Sequence, residues 1–274
     1  MALLEGKVAI ITGSGRGIGK AIATLFAKEG ASVVINDLDS EPAEETAKEI
    51  RKMGVKAVAC AGSVTDKEFP ERLMNTTIKE LGKLDILVNN AGYTWDSVIQ
   101  KMTDEQWYAM VDIHATAPFR IIRAATPYMR EAAKEELKEG KRIHRKIVNI
   151  TSVAGVYGNA GQVNYSAAKA ALVGITKTMA KEWGAFNINV NVVAYGVIDT
   201  RLTGEKELVS KIKVGDKEVD VGIPKASRDF MKSMIPLKRT GTPEEAAGPV
   251  LFLASPLSDY ITGELLICSG GLVL

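Results

Sequence analysis

Short apolar runs rich in β-branched residues recur along this chain, separated by longer amphipathic segments. The runs are VAIIT (8–12), SVVIN (32–36), KAVAC (56–60), DILVN (85–89) and KIVNI (146–150). Between them lie GIGKAIATLFAKEG, SEPAEETAKEIRKMG, DKEFPERLMNTTIKELG and a segment from TDEQWYAM to about Leu137. A strand that is apolar on both sides of its pleat must be covered on both faces, and parallel neighbours need a crossover long enough to hold a helix. The alternation therefore predicts an α/β fold, a doubly wound parallel sheet with helices on both faces. It continues with a helix over about 161–183, the strand INVNVVA (188–194), a helix near 243–254 and a last strand LLIC (265–268).

No repeat, low-complexity run or linker divides the 274 residues, and an apolar fraction of 46% supports one large core. We read a single domain over 1–274, with a cofactor half (about 1–150) and a catalytic and substrate half (about 151–274). Two segments read as insertions: the charged stretch 130–146, expected as an exposed helix end and turn, and 199–239. The latter contains VGDKEVDVGIP, expected as a loop or small hairpin, and leaves the carboxyl end of a strand, where a substrate lid belongs. A formal charge of +2 gives no electrostatic footprint for nucleic acid. The basic cluster KRIHRK (141–146) reads as a solvated helix end, with attraction of substrate phosphates as the alternative. Cys60 and Cys268 are far apart and only two histidines occur, so no metal site is expected. The first residues lack a basic stretch followed by a long apolar one, and no apolar window approaches membrane-spanning length. A cytoplasmic setting is expected.

TGSGRGIG (12–19) follows the first strand and opens the first helix. Gly13, Gly17 and Gly19 permit a tight turn and close backbone approach, and the helix start offers free N–H groups to a pyrophosphate. This is the phosphate loop of a Rossmann-type fold. Asp37 ends the second strand, 18 residues after Gly19. It can accept from both ribose hydroxyls and repels a 2′-phosphate, which favours NAD over NADP, while Arg16 partly offsets it.

In NYSAAKAAL (164–172), Tyr165 and Lys169 are four residues apart on a helix face otherwise built of small residues. A phenol gives up its proton poorly at its ordinary pKa, and an ammonium one turn away favours the phenolate. The pair reads as acid/base machinery with room in front of it.

TGSGRGIG, NNAG (89–92), Ser152 followed thirteen residues on by YSAAK, and NVNVVA leading to GVIDT together resemble the short-chain dehydrogenase/reductase family over essentially the whole chain. Among subfamilies the sequence looks most like the 3-oxoacyl reductases of fatty acid metabolism. The resemblance implies cofactor contacts from Gly13, Ser14, Gly15, Arg16, Gly17, Ile18, Gly19, Asp37, Ser63, Val64, Asn90, Ala91, Gly92, Tyr165, Lys169, Ile198 and Thr200. It implies Ser152 holding the substrate oxygen, Tyr165 as acid/base, Lys169 tuning it, and Tyr157 lining the substrate pocket. It also implies a homotetramer in which helices 103–138 and 161–184 pack between subunits, with Ala167, Ala168, Ala171 and Gly174 allowing close approach.

The sequence departs from the family at three places. Ser63 stands where the family usually has Asp for the adenine amine. His114 stands where it has Asn; the residue either relays protons through a titrating ring or is a satisfied structural histidine, and some 3-hydroxyacyl-CoA dehydrogenases look similar there. Tyr195 replaces the Pro before Gly196 and either stacks near the cofactor or packs against neighbours. The functional expectation is an NAD(H)-dependent oxidoreductase interconverting a secondary alcohol and a ketone, with a 3-hydroxyacyl/3-oxoacyl thioester of CoA or acyl carrier protein as leading substrate. A steroid, sugar or cyclic alcohol dehydrogenase is the first alternative, and a dinucleotide-binding sensor or scaffold without turnover the second.

Overall fold

A computed structural model describes residues 2–204, 211–214, 217–219 and 221–273. Seven strands form one parallel sheet: β1 (Val8–Ile11), β2 (Ser32–Ile35), β3 (Ala57–Ala59), β4 (Ile86–Asn89), β5 (Arg145–Ser152), β6 (Ile188–Tyr195) and β9 (Leu265–Cys268), in the order β3-β2-β1-β4-β5-β6-β9. β7 (Ile212–Val214) and β8 (Lys217–Val219) form a separate antiparallel hairpin within the segment expected as a lid. Residues 205–210, 215, 216 and 220 of that segment lie outside the described residues. The helices are α1 (Gly17–Lys28), α2 (Ser40–Arg51), α3 (Phe69–Leu81), α4 (Asp104–Val111), α5 (Ala117–Thr126), α6 (Ala132–Lys138), α7 (Val153–Tyr157), α8 (Val163–Trp183), α9 (Lys225–Met234) and α10 (Pro243–Ala254).

The doubly apolar strands do what their composition requires. Ala9, Ile11, Val33, Ile35, Ile86 and Val88 pack with α1, α2 and α10 on one face; Ile10, Val34 and Leu87 pack with α3, α5 and α8 on the other. The chain moves outward from β1 to β3, then returns to pair β4 beside β1. That reversal opens a crevice at the carboxyl ends of β1 and β4, where ligands of doubly wound sheets sit.

The segment expected as one long helix over 103–138 is three helices joined through π-helical turns at 112–116 and 127–131. Each wider turn releases part of the regular hydrogen-bond ladder, and the first carries His114.

One expectation is corrected here and one open reading is decided. KRIHRK is not a solvated helix end. Its last two residues begin β5, where Arg145 and Lys146 are buried. Arg145 donates to both Glu136 oxygens at 2.7 and 2.8 Å, and Lys146 Nζ lies 2.7 Å from Asp259 Oδ1. Burying cations requires such partners. Arg145 is at the opposite end of β5 from Ser152, roughly 23 Å away at ~3.3 Å per residue, so this cluster does not serve the active-site end of the sheet. Tyr195, in turn, does not stack in the crevice. It is buried among the residues packed with α10, and its hydroxyl donates to Ala246 O at 2.5 Å.

Candidate active site

The glycine loop is shaped by close approach. A Cβ on Gly19 would lie 2.1 Å from Gly13 O, one on Gly13 2.8 Å from Ala91 Cα, and one on Gly15 2.7 Å from Asp37 Oδ2. Gly13 and Gly17 also have φ of 64° and 56°, the left-handed region glycine tolerates. The start of α1 has no acidic residue and no side-chain cap, so its first N–H groups face outward. Asp37 accepts from Gly15 N at 3.1 Å, which fixes its carboxylate at the edge of the loop. An anionic pyrophosphate fits the uncapped helix start, and a ribose diol fits the carboxylate beside it.

The flanking residues divide into those that present side chains and those that hold backbone. Asn90 Nδ2 donates to Thr12 O and Gly13 O at 2.8 and 3.1 Å, and Thr12 Oγ1 accepts from the amides of Asn90 and Ala91. The NNAG segment thus braces the glycine loop. Ser14, Val64 and Ile198 are buried, Val64 and Ile198 within the hydrophobic clusters; Ser14 Oγ donates to Ile11 O at 2.7 Å. Ile18 packs against the α1-side core. Ser63 Oγ is 2.7 Å from Thr65 Oγ1. Arg16 pairs with Asp39 at 3.1 Å rather than with Asp37. Thr200 lies over the loop, its Cγ2 3.9 Å from a Cβ placed on Gly17.

At the end of β5, Ser152 caps α7 and accepts from Ala154 N at 3.2 Å. Its hydroxyl also acts on the Tyr165 phenol, drawing its pKa down. Tyr165 stands in the first turn of α8 and Lys169 one turn on, with Nζ 5.7 Å from the phenol ring centre. Lys169 Nζ donates to Ile150 O at 2.8 Å, and Thr151 Oγ1 donates to Lys169 O at 2.7 Å, so β5 holds this stretch of α8 by both side chain and backbone. Burial dominates the electrostatics of the pair. It pushes Tyr165 up to about 12, against the lowering effect of the Ser152 hydrogen bond, and pulls Lys169 down to about 7. The expected drift of the phenol toward neutrality is therefore corrected: at neutral pH Tyr165 holds its proton and Lys169 is close to its own titration.

His114 is 1% exposed. Its Nε2 lies 2.8 Å from Tyr93 O, and its ring meets the Tyr165 ring edge-on, centroids 5.1 Å apart. A carbonyl only accepts, so the proton sits on Nε2; Nδ1 has no hydrogen-bond partner among the described residues. Burial, with Lys169 second, drives the ring pKa well below the ordinary imidazole value. The expectation of a ring titrating near neutrality is corrected: His114 is a neutral donor that pins the loop after Gly92, where a Cβ would lie 2.2 Å from His114 Cε1. His114→Asn, which keeps an amide donor, should retain the parent pH profile and lower kcat by less than about tenfold, the value of one neutral hydrogen bond. Loss of a pH limb between 6 and 7 would contradict this.

Several positioning residues carried no sequence signal. Asn164 Nδ2 donates to Trp95 O and Gln106 O, both at 3.0 Å, fixing the start of α8. Asn89, Asn149 and Thr176 link β4, β5 and α8 through bonds of 2.8 and 2.9 Å. Asn36 receives Gly13 N and donates to Cys60 O and Gly62 O. Only the fold makes these polar side chains neighbours.

A family profile described as short chain dehydrogenase matches residues 7–209. The chain is 40% identical over 271 residues to the 3-oxoacyl-[acyl-carrier-protein] reductase of Thermotoga maritima, covering 99% of each. It is 38% identical over 276 residues to the enzyme of that name from Synechocystis, covering 100% of each. A solved 7α-hydroxysteroid dehydrogenase complexed with NADH and 7-oxo glycochenodeoxycholic acid superposes with a TM-score of 0.84 at 32% identity, over 98% of this chain and 95% of that one.

Proposed function

Because the chain belongs to the short-chain dehydrogenase family, we propose that it interconverts 3-oxoacyl and 3-hydroxyacyl thioesters, carried by acyl carrier protein or CoA, with NAD(H). The chain is an oxidoreductase acting on a CH–OH group or its carbonyl, and it binds a nicotinamide dinucleotide. The thioester reading is supported by full-length relatives at 36–40% identity, all named 3-oxoacyl-[acyl-carrier-protein] reductase. The juxtaposition of Ser152, Tyr165 and Lys169 at the carboxyl end of β5 carries the chemistry.

Hydride exchange with the substrate carbon is what the nicotinamide supplies when bound. Gly13, Gly15, Gly19 and the first amides of α1 would hold its pyrophosphate, and Asp37 its adenine ribose. Ser152 fixes the substrate oxygen through its hydroxyl. Tyr165, kept protonated by burial, gives that oxygen its proton during reduction. Lys169 lies one turn away and returns a proton to the phenol after turnover. We place His114 outside the proton path, as the side chain that orders residues 92–93 against Tyr165. The reading also includes a homotetramer: Trp107, Tyr108, Phe119 and Val163 expose apolar surface on the expected helices, and Ala167 and Gly174 face outward. Ala168 does not contribute, because it is buried in the core of its own subunit.

NAD is favoured because Asp37 is held by Gly15 N at the loop edge while Arg16 is engaged by Asp39. Asp37→Ser should shift the ratio of kcat/KM for NADPH over NADH upward by about tenfold or more, the value of one lost charge-assisted hydrogen bond plus relief of repulsion. An unchanged ratio would overturn the Asp37 assignment. The substrate reading is tested by steady-state reduction of acetoacetyl-CoA beside a 7-oxo bile acid. Turnover of the thioester alone supports it. Turnover of the bile acid alone would favour the alternative suggested by the steroid dehydrogenase of similar fold.

A further inference from the structure

Helix α9 is amphipathic, yet none of its residues is buried. Phe230, Met231 and Met234 share one side, while Arg228, Asp229 and Lys232 lie on the others; Phe230 is 63% and Met234 45% exposed. The helix is nevertheless fixed at both ends. Arg228 Nη2 reaches Asp199 Oδ1 at 2.5 Å, and its Nε donates to Thr203 O at 3.2 Å. Beyond the last turn, Ile235 is buried, Leu237 N donates to Gly270 O at 3.2 Å, and Cβ atoms on Gly270 and Gly271 would lie 2.9 and 2.7 Å from Ile235 and Pro236. A helix anchored in this way, with its apolar side uncovered, is a wall that lacks a filling.

The space it faces is a cavity of about 500 Å³ lined by Tyr157, Phe230, Met231, Met234 and Leu272, with the 158–160 loop. That volume lies within the range of small-molecule sites. Tyr157 ends α7, whose first residue follows Ser152. At ~1.5 Å per residue the cavity begins roughly 7 Å beyond the serine that holds the substrate oxygen. Methionine side chains adapt to flexible apolar ligands. Among the lining side chains the polar groups are the Tyr157 hydroxyl and the Asn159 amide, whose Nδ2 is already bonded to Gln162 Oε1 at 2.9 Å. A ring system bearing several hydroxyls would find few partners on this largely apolar lining, whereas an unbranched hydrocarbon asks for none.

We propose that this cavity seats the distal methylenes of the acyl chain, and that Met234 on α9 and Leu272 in the 269–272 turn set the chain length the enzyme accepts. The inference rests on the thioester reading above. It makes α9 the specificity wall of the site, with the carrier end of the substrate left toward solvent.

The test compares kcat/KM for 3-oxoacyl-CoA esters of four, six and eight carbons with NADH. Each buried methylene contributes up to about fourfold, so the eight-carbon substrate should exceed the four-carbon one by at least about tenfold. Met234→Trp, which fills the cavity from an exposed position that folding does not depend on, should lower that ratio at least fivefold. Phe230→Ala, which removes wall surface, should lower it in the same direction. Equal kcat/KM across the three lengths, or a ratio untouched by both variants, would overturn the proposal while leaving the thioester reading in place. Failure to turn over even the four-carbon ester in protein that binds NADH would overturn both.

Discussion

Tyr165→Phe will lower kcat for reduction by a factor of about 10²–10⁴, the usual worth of a positioned general acid, while NADH binding measured by fluorescence stays close to the parent value. The phenol sits in the first turn of α8, acted on by the Ser152 hydroxyl that is itself fixed by capping α7. Removing one oxygen leaves that scaffold and the glycine loop intact, so the loss falls on the chemical step. The pH dependence has a defined sign. Tyr165, pushed up to about 12, is protonated throughout the neutral range, whereas Lys169, pulled down to about 7, loses its charge there. A reaction that needs the phenol and the ammonium both protonated slows as pH rises through about 7. Lys169→Met should abolish that limb as well as lower the rate. A Tyr165→Phe enzyme retaining more than a tenth of parental kcat would remove Tyr165 from the acid role.

Gly19→Ala should nearly abolish dinucleotide binding. The added Cβ would stand 2.1 Å from Gly13 O and 2.7 Å from Asn90 Nδ2. Backbone on one side and a doubly bonded amide on the other leave α1 to move. Displacing it withdraws the N–H groups meant for the pyrophosphate. Losing one or two charge-assisted hydrogen bonds raises the Kd for NADH by roughly 30-fold or more, and overpacking costs about 1–3 kcal/mol of stability. Gly248→Ala is the matched control: that residue lies inside α10 with open space where its Cβ would go, so alanine should stabilise slightly and leave NADH affinity alone. Equal NADH affinity in Gly19→Ala and the parent would mean the loop does not hold the pyrophosphate.

The strands were legible because both of their faces must be covered, which makes them continuous apolar runs. VAIIT, SVVIN and DILVN differ from β1, β2 and β4 by a residue at one end. The glycine loop and the Tyr165/Lys169 pair were legible because their chemistry is local: a tight turn before a helix, and two groups one turn apart. Reading failed where an outcome depended on surroundings distant in the chain. KRIHRK read as solvated because its partners, Glu136 and Asp259, are set by the fold, and Asp259 follows Lys146 by 113 residues. Tyr165 and His114 were expected nearer neutrality than they stand because burial, which the local pattern does not reveal, raises the phenol and lowers the imidazole. Tyr195 left two readings open from sequence, and packing is the one realised, with its hydroxyl finding Ala246 O on α10. The wider turn at 112–116 likewise has no local signature: a regular helical pattern continues through it.

The most direct test of the central claim is deuterium transfer. NADH carrying deuterium at both hydrogens of the nicotinamide C4 is incubated with acetoacetyl-CoA and the enzyme, and the product is read by mass spectrometry. The account predicts 3-hydroxybutyryl-CoA carrying one deuterium at C3, formed readily by the parent and by His114→Asn and at least about a hundredfold more slowly by Tyr165→Phe. A product without deuterium at C3, or none from protein that binds the cofactor, would contradict it.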